Sequence, residues 1–179
     1  MTKKQQLIAI LKDKSVRTGT FTLASGKTSN FYVDARQTTL NAQGSLLVAE
    51  MMLDLISPEV QGVGGPVTGA DPITGAITLL SAQRNRPIHG FMVRKNPKGH
   101  GANHWVEGQG NLPKGSRVCV IEDTVTTGGS LLRAVEKLEE IGYEVVQCLA
   151  VVDREEGARE RIEQAGYQYV SLTTKRELL

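Results

Sequence analysis

The run Val118-Cys119-Val120-Ile121-Glu122-Asp123-Thr124-Val125-Thr126-Thr127-Gly128-Gly129-Ser130 concentrates most of the chemistry this chain could do. Four apolar residues read as a buried strand. Two adjacent acids stand at its carboxyl end. Hydroxyls and glycines then make a polar turn, Glu122 to Gly129, that opens a helix. Such a turn is an anion cradle. The backbone N–H groups of Thr126 to Ser130 point into it, and the helix N-terminus adds partial positive charge. Glycine lets the backbone come close to a phosphate. The acids would repel that phosphate, so they need a different partner, and ribose hydroxyls or a Mg²⁺ ion would serve. A plain capped helix explains Thr126, Thr127 and Ser130 but not the acid pair. The run is no P-loop, because the Gly-Lys-Ser/Thr ending is missing.

A second group lies upstream, Arg94-Lys95-Asn96-Pro97-Lys98-Gly99-His100-Gly101. Three cations and a histidine within seven residues suit a ligand with several negative charges, such as a pyrophosphate. The whole stretch from Arg94 to Ser116 has five glycines, two prolines and no apolar period. It reads as a long loop able to open and close over a site.

These groups need elements to position them. Leu7, Ile8, Ile10 and Leu11 predict a first helix from Thr2 to about Asp13, with Thr2 as N-cap. Arg17 to Asp34 reads as short extended pieces joined by a turn at Ser25-Gly26. Asn41 caps a helix running to about Ile56, and Val60 to Pro66 is a short strand entering a Gly-rich turn. Asp71-Pro72 predicts an N-cap followed by proline at the first helical position, with a helix to about Gln83. Strands follow at Ile88–Val93, Arg117–Ile121, Glu144–Val152 and Tyr167–Leu172. Helices are expected at Ser130–Ile141, with Gly142 at its end, and across most of Asp153–Ala165. Strands alternating with helices imply an α/β fold with a mostly parallel sheet, whose ligand site lies at the carboxyl ends of the strands.

Composition narrows the classes. The 179 residues favour one domain with its own core. Apolar residues are 40% and charged residues 22%, which is ordinary for a globular chain and unlike a disordered one. A net charge of +2 is too small to draw a nucleic acid or a membrane surface by overall field. Cys119 and Cys148 sit in apolar runs and read as buried reduced thiols. With three histidines they form no zinc spacing. The N-terminus lacks the apolar stretch of a signal peptide and no run is long enough to span a bilayer, so the expected location is the cytoplasm.

The Val118–Ser130 run resembles the phosphoribosyl-pyrophosphate motif of the type I phosphoribosyltransferases. Three more segments point to the orotate branch of that family. Arg94 to Gly101 with Glu107-Gly108 is similar to its catalytic loop, Phe21 to Asp34 to its orotate-side segment, and Asp153-Arg154-Glu155-Glu156-Gly157 to its strand-end Asp-Arg motif. The resemblance covers about Phe21 to Arg154, in order. It implies one domain with the type I fold, a mostly parallel sheet flanked by helices, in which residues 1–40 form a small hood and residues 94–110 a mobile loop. It departs in places. Ala24 stands where some members carry lysine, and Lys27 is the nearest replacement. The Gly-rich turn Gly64 to Asp71 lacks the Tyr-Lys pair of many relatives, which leaves backbone N–H groups for any pyrophosphate contact there. The acid pair is Glu-Asp where some members have Asp-Asp.

The implied reaction joins orotate to 5-phosphoribosyl 1-diphosphate (PRPP), giving orotidine 5′-monophosphate and pyrophosphate on the route to UMP. The implied PRPP contacts are Arg94, Lys95, Lys98 and His100 on pyrophosphate, Glu122 and Asp123 on the ribose hydroxyls, and Thr126, Thr127, Gly128, Gly129 and Ser130 on the 5′-phosphate, with Thr124 and Val125 also among the PRPP-binding residues. Lys98 and Asp123 would be catalytic. Thr126, Arg154 and Lys27 would face orotate. Mg²⁺ would be held mainly through PRPP, near Asp123. The resemblance also implies a homodimer whose loop reaches the neighbouring site. Two alternatives stand beside it, namely a transferase for another base and a PRPP-binding regulator without chemistry. A regulator usually carries a nucleic-acid-binding part, for which this chain has little room.

Overall fold

The computed structural model describes residues 1–22, 28–97 and 105–179. The expected turn at Ser25-Gly26, and with it Lys27, Lys98 and His100, lies outside the described residues. The chain opens with helix α1 (Lys3–Ile10), whose N-cap Thr2 forms a reciprocal capping box with Gln5. A widened π-type turn at Leu11–Ser15 follows. Strands β1 (Val16–Thr22) and β2 (Thr28–Val33) pair antiparallel as a separate hairpin. Then come α2 (Arg36–Thr39), α3 (Ala42–Leu55), β3 (Gly62–Pro66), α4 (Asp71–Gln83), β4 (His89–Val93) and β5 (Val106–Glu107). The last part holds β6 (Arg117–Val125), α5 (Gly129–Glu140), β7 (Glu144–Asp153), α6 (Ala158–Gln164), β8 (Gln168–Thr174) and α7 (Lys175–Leu178).

Six strands make the central sheet in the order β5-β4-β3-β6-β7-β8, and all neighbours are parallel except β4 and β5. Its inner strands are apolar on both faces, as a sheet covered on both sides requires. Alternation along β6 divides the core. Cys119 and Ile121 face the cluster under α1, α3 and α4, while Val118 and Val120 face the cluster under α5 and α6. The α5 stripe of Leu131, Ala134, Val135 and Leu138 is buried, each leucine contributing about 2 kcal/mol of apolar burial. Cys119 and Cys148 are both fully buried and sit on opposite faces of the sheet. Burial pushes the Cys119 thiol well above its ordinary range and the Cys148 thiol up to about 12.

Strand order changes direction at β3. From there the chain steps outward to β4, then returns to lay β6 on the other side. That switch opens a crevice at the carboxyl ends of β3 and β6. The register makes it visible. Strand β3 pairs with β6 only from Gly62↔Val118 to Gly64↔Val120, whereas β6 continues beside β7 to Val125↔Asp153. Beyond Ile121, β6 therefore has one edge with no strand beside it among the described residues.

Several local expectations shift. The acid pair lies inside β6, not in a turn after it, because pairing with β7 carries the strand on to Val125. Asp71 is the first helical residue of α4 and not its cap; Ala70 takes the cap position without a side-chain bond. The long loop is interrupted by β5, and a 3₁₀ turn at Gln109–Asn111 follows it. Helix α6 begins only at Ala158, because Asp153 Oδ1 accepts from the Glu155 N–H and Glu155 and Gly157 have positive φ.

Candidate functional site

The crevice is a cleft of about 230 Å³ between the hairpin end and the two strand ends. Its wall brings together Asp34 and Arg36 from the start of α2, Thr68 and Gly69 from the turn after β3, Lys95, and Glu122, Asp123 and Thr124 of β6. Beside it, Glu122 and Thr124 to Ser130 line a smaller hollow of about 120 Å³. The N–H groups of Thr126 to Ser130 make no hydrogen bond among the described residues. Gly128 has φ +75°, a left-handed turn that glycine takes without strain. The hollow is thus an open set of donors at the N-terminus of a twelve-residue helix, the geometry that binds phosphate.

The acid pair is held by backbone. Asp123 Oδ1 accepts from the Thr124 N–H at 2.7 Å. Gly69 packs directly over that carboxylate, and a Cβ there would lie 2.4 Å from Oδ1. Burial pushes the Asp123 carboxyl up, while the Thr124 N–H and the facing Arg36 pull it down. Burial, reinforced by Asp123, drives Glu122 up to about 7; Ser130, Arg133 and Lys95 oppose that rise. Two such carboxyls, short of solvent, are suited to hydroxyl donors or a hard cation.

A pH dependence follows. The folded-state pKa of Glu122 lies above its ordinary 4.5, so the native state binds more protons than the unfolded chain between about pH 4.5 and 7. Its contribution to stability is complete below that window and is lost as pH rises through it. At about 1.4 kcal/mol per unit across that window the loss is at most about 3.5 kcal/mol. Glu122→Gln should flatten the profile and raise stability at pH 8 by about 2 kcal/mol, or about 4–8 °C in Tm. Thermal melts of the ligand-free protein from pH 4.5 to 8 check this, and parallel profiles for the two proteins would show that Glu122 does not titrate there.

Of the described members of the cationic group, Lys95 lines the cleft and Arg94 turns to Glu107, Nη1 to Oε1 at 3.1 Å. The Arg94 N–H donates to the Trp105 carbonyl at 2.8 Å. Trp105 packs against the α5 cluster with Lys137 Nζ 4.9 Å from its ring centroid. Arg154 is fastened at its backbone to the Val125 carbonyl at 2.9 Å. Its guanidinium, mostly buried, pairs with Glu156 at 3.0 Å, and its Nε is buried without a partner among the described residues. Arg36 escapes the sequence reading as a site residue, while Asp34, Thr68 and Gly69 enter it only as members of the segments Phe21 to Asp34 and Gly64 to Asp71. The one signal for Asp34 and Arg36 as a pair is alternation. Phe31, Val33 and Ala35 are buried in the core, so Asp34 and Arg36 point the other way.

With this geometry in place, the family model described as a phosphoribosyl transferase domain matches residues 76–170. Over 183 aligned residues the chain is 43% identical to the orotate phosphoribosyltransferase of Aquifex aeolicus, covering 100% of this chain and 99% of that one. It is 38% identical to the orotate phosphoribosyltransferase of a Nostoc species, covering 99% of this chain and 85% of the relative. Among solved structures, Mycobacterium tuberculosis orotate phosphoribosyltransferase in complex with 5-phospho-alpha-D-ribosyl 1-diphosphate superposes with a TM-score of 0.82. That pair is 36% identical, and 99% of each chain is covered.

Proposed function

Since the chain belongs to the orotate phosphoribosyltransferase family, we propose that it transfers the ribose 5-phosphate group of PRPP to orotate, releasing pyrophosphate and yielding orotidine 5′-monophosphate for pyrimidine synthesis. The observation that carries this reading is the partly buried pair Glu122-Asp123 beside an open set of backbone donors, at the switch point of a mostly parallel sheet.

The roles follow from charge. Thr126 to Ser130 hold the 5′-phosphate on the N-terminus of α5. Glu122 and Asp123 accept from the ribose hydroxyls and fix the sugar. As the bond from the anomeric carbon to pyrophosphate breaks, that carbon becomes cationic and the leaving oxygens gain charge. A ring nitrogen of orotate then forms the new bond and gives up its proton to the departing pyrophosphate or to water. Cations that meet the departing charge lower the barrier. Lys95 is in the cleft for this. Arg94, Lys98 and His100 join it when the loop, residues 94–110, closes over the site. Arg154 exchanges Glu156 for the orotate carboxylate, with Thr126 beside it and Lys27 on the hood side. Residues 1–40 act as that hood within one domain.

The residues fit Mg²⁺. Two adjacent carboxyls short of solvent suit a hard cation. Among the described residues no group of three or more His, Cys, Asp or Glu could hold an ion. Asp123 and Glu122 would therefore share the cation with substrate oxygens, and bound there it neutralises diphosphate charge. We further propose a homodimer with loops shared across subunits, at work in the cytoplasm. No helix among the described residues is long and apolar enough to cross a membrane.

The test is orotate consumption followed by absorbance. Orotate should disappear only when PRPP is present, and chelating divalent cations should stop it. Adenine, hypoxanthine and uracil should not turn over. Consumption of another base with orotate inert would overturn the reading.

A further inference from the structure

We propose that Arg36 contacts the diphosphate of PRPP, supplying from the start of α2, just after the N-terminal hairpin, the cation that the turn after β3 lacks. This rests on the reading of the cleft as the PRPP site.

The turn Pro66-Val67-Thr68-Gly69-Ala70 carries no positive charge. Gly69 could not be exchanged for a lysine with Asp123 in place, because the Cβ alone would meet that carboxylate at 2.4 Å. Arg36 stands across the same cleft, sharing its wall with Val67, Thr68, Gly69 and Asp123. The charges there do not favour a polyanion as they stand. Asp34, Glu122 and Asp123 supply three carboxyls against two cations, Arg36 and Lys95. Without Arg36, Lys95 would be the sole cation among the described residues of that wall.

The guanidinium is also aimed. Asp34 Oδ1 accepts from Arg36 Nε at 2.9 Å and from its backbone N–H at 3.2 Å, while Gln37 Nε2 donates to Oδ2 at 3.3 Å. One edge of the guanidinium is thereby fixed. The two Nη nitrogens make no hydrogen bond among the described residues. They offer the planar fork that matches two phosphate oxygens. The mount is firm, since Phe31, Val33 and Ala35 anchor the preceding segment in the core and Ser15 Oγ bonds Thr38 Oγ1 at 2.7 Å beneath α2. Stability alone is a poor reason for the arrangement. The Arg36 side chain is half exposed, and exposed ion pairs contribute little to folding. Asp34 is then a positioning residue for Arg36.

Calorimetry separates the contacts. Inorganic pyrophosphate with Mg²⁺ probes the diphosphate position, and ribose 5-phosphate probes the cradle and sugar. Arg36→Gln should weaken pyrophosphate about 10–100-fold, the range for a hydrogen-bonded charge, and leave ribose 5-phosphate within about 2-fold. The KM for PRPP should rise while that for orotate stays put. Arg36→Lys, which keeps the charge and loses the fork, should fall in between. An unchanged pyrophosphate affinity in Arg36→Gln, or equal losses for both probes in both variants, would overturn the assignment. If the wild-type protein consumes orotate and Arg36→Gln matches it, this inference alone fails. If the wild-type protein consumes none, the reading of the site fails first.

Discussion

Gly65→Ala is expected to destabilise the protein by about 3 kcal/mol or more, lowering Tm by about 6–12 °C, and to raise the KM for PRPP. A Cβ at Gly65 would lie 1.8 Å from the Ile121 carbonyl oxygen and 3.0 Å from the Ala70 Cβ. The first of these is backbone, so no rotamer change relieves it. Strands β3 and β6 would have to part at the place where β6 leaves its partner and presents Glu122 and Asp123. Damage to packing and damage to the site are therefore one event. Gly75→Ala in α4 is the control, since nothing lies within 4 Å of its added carbon. Inside a helix that change should stabilise by roughly 0.5–1 kcal/mol. Melting curves and PRPP titrations of both variants check the pair, and coincident melts for Gly65→Ala and wild type would mean that the two strands have slack there.

Lys98→Ala should slow turnover by about a hundredfold or more while leaving the melting temperature unchanged, because it removes charge stabilisation that matters as pyrophosphate departs. The shared-loop dimer makes a sharper claim. One variant lacks the loop cation, Lys98→Ala; a second lacks the sugar acids, Glu122→Gln with Asp123→Asn. Each homodimer has two defective sites. In a heterodimer with crossed loops, one site takes both defects and the other takes none. Random exchange makes about half the dimers mixed, so about a quarter of wild-type activity should return. A loop serving its own subunit leaves every site with one defect and restores nothing. Subunit exchange is verified separately by mass, so that absence of recovery counts against the crossed arrangement.

Much of this architecture can be read from residue order. Asn41 caps α3 through the Gly44 N–H at 3.0 Å, and the apolar stripe of α5 is buried as its period demands. Strands β4, β6 and β7 are found by their apolar runs, whereas Gly64 to Pro66, read as part of a Gly-rich turn, lies inside β3. What sequence misses has physical causes. Polarity begins at Glu122, so a local reading ends β6 at Ile121; the ladder with β7, distant in sequence, carries the strand four residues further. Two residues are too few for β5 to carry any period, and it exists because β4 offers an edge. The Glu122-Asp123 pair and the glycine turn announce themselves because their chemistry is contiguous. Asp34, Arg36 and Gly69 do not, because their meaning arises only when the hairpin and the turn after β3 fold toward Asp123.

The two cysteines have a consequence of their own. They occupy neighbouring central strands, yet their sulfurs lie on opposite sides of the sheet, so the native chain cannot close a disulfide between them. Both thiols are buried and held in the protonated form, which starves them of the reactive thiolate. A thiol reagent must therefore wait for the sheet itself to open, while fraying at the rim of the cleft goes unseen. The protein thus contains two internal reporters of its deepest opening, one for each half of its core, and their labelling rates compare how those halves come apart.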